Sequence, residues 1–147
     1  MRLEGKKNLL TIVVFIVLFL LGGLLIGGTT QEVKILTDKN EYQRGENLRL
    51  QVRNFSPATL CFSSCYPYYL EWKRDSGKWE IYSYESCQKE DLVEKCIDSW
   101  GTKIFEMSVP QIRKGTHRLS VPVCQKCLPG QKFREDKRFY SNEFEVK

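Results

Sequence analysis

Eighteen consecutive residues without a charge, LLTIVVFIVLFLLGGLLI at Leu9–Ile26, set the first limit on what this chain can become. At 1.5 Å of rise per residue they make a helix of roughly 27 Å, close to the thickness of a hydrocarbon core. The run therefore predicts one membrane-spanning helix over residues 9–26. Arg2, Lys6 and Lys7 precede it against the single Glu4, and cationic flanks stay on the cytoplasmic side. Residues 1–8 are thus expected as a cytoplasmic tail, 27–31 as a linker, and 32–147 as an extracytoplasmic domain. A cleaved secretory signal is the alternative, since Gly27, Gly28, Thr29 and Thr30 supply small residues after the apolar run. One reading holds the domain at the cell membrane through lipid contact over 9–26, and the other secretes it. Both export it.

Setting aside residues 1–30 leaves 117 of the 147 residues, enough for one domain with a real core. This part carries 20 of the 23 Lys and Arg and 17 of the 18 Asp and Glu. Such a small excess, with no basic stripe interleaved by aromatics, argues against nucleic acid as a partner.

The exported part is rich in Tyr, Phe, Val and Trp, and its hydrophobic spacing is that of strands. In NLRLQVRN at 47–54, Leu48, Leu50 and Val52 alternate with Asn47, Arg49, Gln51 and Arg53, the period of a half-buried strand. Val33 to Leu36 begins a strand before it, and Tyr42 is expected to pack beneath the turn-rich 38–46. Tyr68, Leu70 and Trp72 alternate with Tyr69, Glu71 and Lys73. A turn at 75–77 follows, and Trp79 and Ile81 are expected to resume the inward face. The polar segment 85–101 admits one short helical turn. Residues 103–109, then His117, Leu119, Val121 and Val123, and finally 139–146 complete about seven strands, the spacing of an antiparallel sandwich.

Taken in order, these features resemble bacterial Ig-like domains of small membrane-anchored proteins. The resemblance rests on Glu41-Tyr42 with Gly45-Glu46, the Leu48/Leu50/Val52 strand ending in Arg53-Asn54, and Tyr69-Leu70-Glu71 with Gly77-Lys78-Trp79. It continues through Gly115-Thr116-His117-Arg118-Leu119 to Ser141-Asn142-Glu143-Phe144. It implies an all-β, Ig-like antiparallel sandwich with no catalytic residues to carry over. Such domains often have Tyr where His117 stands.

Six cysteines, Cys61, Cys65, Cys87, Cys96, Cys124 and Cys127, are the most specific chemical signal in the chain. In an exported domain an even count reads as disulfides, with 15 possible pairings. A local Cys87–Cys96 bridge would close the polar loop, leaving the other four to join loop 55–67 to loop 124–138. The sharper alternative is zinc held by the thiolates of Cys61, Cys65, Cys124 and Cys127. A third reading makes Cys124-Gln125-Lys126-Cys127 a redox dithiol, although no helix N-terminus is expected there to activate it.

The remaining chemistry is sparse. His117, the sole histidine, falls on an inward strand position and reads as a structural group. No nucleophile elbow and no phosphate-binding glycine loop occurs, so an enzyme is not expected and no cofactor is implied beyond the alternative zinc. Asn54-Phe55-Ser56 fits the glycosylation triplet at a strand end expected to face outward. Among the tyrosines, Tyr69, Tyr82 and Tyr84 are candidates for a binding surface. The sequence thus points to an exported interaction or structural module. Its partner would be an unidentified protein or component of the cell envelope.

Overall fold

The alternation in NLRLQVRN builds the centre of a three-stranded sheet. In the computed structural model, which describes residues 32–83 and 86–147, strand β3 (Asn47–Asn54) buries Leu48, Leu50 and Val52 completely. It lies between β1 (Val33–Thr37) and β8 (Thr102–Ser108), antiparallel to both. The tail, the apolar run at 9–26, the linker and Tyr84 fall outside the described residues. Among the described residues, no helix is long and apolar enough to cross a membrane.

The larger sheet is organised on β9 (Gly115–Gln125), whose eleven residues are long enough to serve two partners on each side. Along one side run β10 (Lys137–Tyr140) and β11 (Phe144–Val146), and along the other β5 (Tyr69–Lys73) and β4 (Leu60–Ser63). Strand β6 (Trp79–Ile81) pairs with β5, and β7 (Val93–Ile97) with β4. The two-residue β2 (Glu41–Tyr42) runs parallel to β11. A sheet of β1-β3-β8 facing one ordered β2-β11-β9-β4-β7 divides the strands as an Ig-like sandwich does.

One apolar core joins the two sheets. Val33, Ile35, Leu48, Leu50 and Val52 come from the smaller, and Leu60, Phe62, Leu119, Val121, Val123 and Phe144 from the larger. Phe62 meets Phe105 edge-on across the gap, with centroids 5.3 Å apart. Tyr42 packs beneath the 38–46 turn as its sequence predicts, 1% exposed and edge-on to Phe144. Its hydroxyl donates to Asp38 Oδ1 at 2.7 Å, and the same oxygen accepts the Arg49 amide at 2.8 Å. Burial, then the Asp38 carboxylate, pushes the phenol up to about 12.

Four differences from the sequence reading have physical causes. Eleven strands replace about seven, because Leu60–Ser63 within the expected loop 55–67 forms the fully buried β4, β2 and β7 add short edges, and the last strand breaks into β10 and β11. The polar segment expected to hold a helical turn forms β7 instead, burying Val93 and Ile97 and pairing its backbone with β4. Trp79 and Ile81 face outward, not inward. The connection 74–78 sets Lys73 opposite Trp79 and Glu71 opposite Ile81, and directly opposed residues share a face. Asn54, expected to face outward, is buried. Its Nδ2 donates to the carbonyls of Ala58 and Asp98 while Oδ1 accepts from the Ser56 amide and hydroxyl.

Candidate functional site

Two regions carry the chemistry of the described domain: the outer face of the larger sheet and its cysteine-bearing end. On the outer face, register brings Glu71 of β5 opposite Arg118 of β9, and Tyr69 and Tyr140 to either side of Ser120. Arg118 donates through Nε and a terminal nitrogen to Glu71 Oε2 at 2.8 and 2.7 Å. Its guanidinium lies 4.1 Å from the Trp79 ring centroid and 4.0 Å from that of Tyr140. A cation over an aromatic face is held by the ring quadrupole. Two rings and a carboxylate that is only 5% exposed therefore fix this arginine in place.

The same face continues in both directions. Lys73 lies over Trp79 and pairs with Glu143 at 3.2 Å, while Arg138 lies over Tyr69, which stacks on Tyr66 at 5.6 Å. Ile81 and Tyr140 are 46% and 43% exposed. At the centre, the buried Ser120 hydroxyl has no hydrogen-bond partner, the one such side chain among the described residues. A larger residue there would displace the flanking tyrosines.

Of the three tyrosines proposed from sequence, Tyr69 sits on this face. Tyr82 does not. It turns into the core beyond the end of β6, where its amide donates to the Leu70 carbonyl and its ring stacks on His117. His117 is 1% exposed, and burial holds it below the ordinary histidine range against the opposing influence of the Gly115 carbonyl. Trp79, Arg118 and Tyr140, which hold the face together, were not singled out from sequence. Only strand register shows that they meet.

At the other region all six cysteines are paired: Cys61–Cys96, Cys65–Cys87 and Cys124–Cys127. Neither the local Cys87–Cys96 bridge nor a link between loops 55–67 and 124–138, both admitted by the sequence, forms. Cys96 lies within β7 directly opposite Cys61, leaving Cys87 for Cys65. The zinc quartet Cys61, Cys65, Cys124 and Cys127 is not brought together, since Cys65 belongs to the separate bridge. Instead Cys61, Cys96, Cys124 and Cys127 share a small core with Val93 and Phe133. Cys61 and Cys124 are fully buried and directly opposed on β4 and β9. Cys61 Sγ lies 3.3 Å from the Cys127 carbonyl oxygen, and Cys124 Sγ 3.4 Å from Asp136 Oδ2. The Gln125 amide, donating to that carboxylate at 3.0 Å, holds Asp136 below the usual range. The donor atoms of Cys124, Cys127 and Asp136 lie within 4.8 Å of one another. With the two sulfurs bonded to each other, Asp136 alone keeps an anionic donor.

No family model matches the chain, and no curated protein sequence does. Among solved structures it is similar to the alkylpurine DNA glycosylase AlkC of Pseudomonas fluorescens bound to DNA containing an abasic site analog. That match has 18% identity and a TM-score of 0.42 over 85% of this chain and 33% of the glycosylase. It is also similar to the CARDB domain of the Pyrococcus furiosus PF1109 protein in complex with di-metal ions (10% identity, TM-score 0.38, 78% and 87% covered). A third neighbour is the ASH/PapD-like domain of human CEP192, at 15% identity and a TM-score of 0.33, with 81% and 84% covered. These scores are too low to carry any inference about what the chain binds or does.

Proposed function

We propose that the chain is a membrane-anchored, extracytoplasmic Ig-like module that binds a protein partner of the cell envelope through the outer face of its larger sheet. The observation that carries this reading is Arg118 clamped between Trp79 and Tyr140 and paired with Glu71. Trp, Tyr and Arg dominate the energetics of interfaces, and side chains already fixed lose little entropy on binding. The apolar run 9–26 would supply the anchor, and paired cysteines suit an oxidising compartment. Catalysis, a cofactor and nucleic acid have no part in this reading.

A photo-cross-linking residue placed at Ile81 or Tyr140 in intact cells tests it, with Lys34 on the smaller sheet as the control position. The expected result is a discrete protein adduct from positions 81 and 140 and none from 34. Equal adducts from both faces, or none from either, would remove the proposed surface.

A further inference from the structure

We propose that Cys124 and Cys127 form a thiol–disulfide exchange site that accepts electrons from an external dithiol and relays them to the Cys61–Cys96 bond. The inference rests on strand order. Strands β9, β4 and β7 are consecutive neighbours, and in the register Cys124 opposes Cys61 while Cys61 opposes Cys96. Directly opposed side chains share one face of a sheet, so the three cysteines form a row across three strands. Thiol–disulfide exchange takes an attacking sulfur, a central sulfur and a leaving sulfur in line, and the row supplies the three residues in that order. Here Cys124 would attack, Cys61 is central and Cys96 leaves.

The alternative bond asks for a small approach of β4 and β9. A residue's N–H and C=O point to the same side of an antiparallel strand, so Cys61 makes a hydrogen-bonded pair with one neighbour and a non-hydrogen-bonded pair with the other. The Lys126 amide donates to the Thr59 carbonyl between β9 and β4, which places Cys61 and Cys124, two residues along, in the hydrogen-bonded class. Such pairs have Cα atoms about 5.5 Å apart, within the usual Cα span of a disulfide, and Cβ atoms also about 5.5 Å apart, so the bond forms only when β4 and β9 close by about 1 Å. Cys61 and Cys96 are the closer pair, with Cα atoms at 4.0 Å.

Entry is through Cys127. It is half-buried beside a surface cavity of about 670 Å³ lined by Lys126, Lys132, Arg134 and Phe133. Lys126 and Lys132 at that mouth favour the approach of a thiolate, while the Asp136 carboxylate, paired with Arg134 and 3.4 Å from Cys124 Sγ, acts against a thiolate at Cys124. The incoming thiolate attacks Cys127 Sγ, and the Cys124–Cys127 bond breaks with Cys124 leaving as thiolate. The donor's second thiol then attacks the mixed disulfide, so the donor departs oxidised to a disulfide and Cys127 takes up a proton. The Cys124 thiolate next attacks Cys61 Sγ. The Cys61–Cys124 bond forms, the Cys61–Cys96 bond breaks, and the Cys96 thiolate is protonated. The donor supplies both electrons and both protons, and the internal step is redox-neutral. The product has Cys61–Cys124 bonded with Cys96 and Cys127 as thiols, releasing β7 from its covalent tie to β4.

The test uses the full chain in detergent micelles, treated with one equivalent of dithiothreitol, quenched in acid, labelled with N-ethylmaleimide and mapped by peptide mass spectrometry. The expected result is label on Cys96 and Cys127 with a Cys61–Cys124 linked peptide. Label confined to Cys124 and Cys127 at all times, with Cys61–Cys96 intact, would overturn the relay. A second arm uses the Cys124→Ser/Cys127→Ser variant, in which labelling of Cys96 should slow at least tenfold. An unchanged rate would mean that the reductant reaches Cys96 directly, which also overturns it. So would retention of one added zinc ion by the reduced wild-type chain with protection of Cys61, Cys96, Cys124 and Cys127 from label.

Discussion

The Tyr82 hydroxyl lies 3.0 Å from Nε2 of His117, and the two rings stack with centroids 5.9 Å apart and planes 10° from parallel. The partner of the other ring nitrogen fixes the tautomer. Nδ1 is 2.7 Å from the Gly115 carbonyl oxygen, which can only accept, so Nδ1 carries the proton, Nε2 accepts, and Tyr82 donates. A histidine stands at the inward position of β9, and the phenol that meets it comes from the β6 side of the sheet. Replacing Tyr82 with Phe keeps the stack but leaves Nε2 buried without a donor. A loss of about 1–3 kcal/mol is expected, read from the midpoint of urea unfolding.

The same pair makes stability depend on pH. His117 has a folded pKa below its ordinary 6.5, chiefly through burial, so between that lowered value and about 6.5 the unfolded chain binds the proton more readily. Stability should be full above pH 6.5. It should fall as pH drops through that value, with a slope of at most about 1.4 kcal/mol per pH unit, and level off below the folded pKa. Asp38 acts lower. Its folded pKa lies below 3.8, held there by the Arg49 amide and Tyr42 against the opposing effect of burial, so its contribution is lost only as acid protonates it. Unfolding curves from pH 8 to 4 should show the histidine step in the wild type and lose it in His117→Gln.

Arg118 and Glu71 give a prediction through desolvation. Arg118→Met would leave a nearly buried carboxylate unpaired, and breaking such a pair costs about 3–5 kcal/mol. Adding Glu71→Gln should recover more than half of that loss. Equal midpoints for the single and double variants would show that the pair is not coupled.

Asn54 closes the loop after β3 with four hydrogen bonds to Ser56, Ala58 and Asp98. Asn54→Ala removes all four and leaves the buried Ser56 amide without an acceptor, while the Ala58 and Asp98 carbonyls keep the Ser56 hydroxyl and the Gly101 amide, and a loss of about 1–3 kcal/mol is expected. The intact mass of the native protein should show no glycan on the Asn54-Phe55-Ser56 triplet. An occupied site would contradict the buried side chain.

The parts of the fold legible in the sequence are those set by local period. Leu48, Leu50 and Val52, and His117 through Val123, bury the faces that their alternation predicts. What could not be read depends on which strands meet. The direction of Trp79 and Ile81 follows from the length of the 74–78 connection, and Tyr82, next after the outward Ile81, falls opposite the buried Leu70 on the inward side. The cysteine pairing follows from β7 lying against β4, which its polar sequence hides. Arg118 carries no periodic signal that would set it apart from other outward strand residues. Its place between Trp79 and Tyr140 appears only once β5, β6, β9 and β10 share a face.

The thiol state of the protein in living cells tests the central claim of export most directly. Cells are quenched in acid, labelled with one maleimide, reduced, and labelled with a second of different mass. An oxidised extracytoplasmic module predicts all six cysteines carrying only the second label, in protein recovered with the membrane or from the medium. Six cysteines carrying the first label, on protein recovered from the cytosol, would contradict the account.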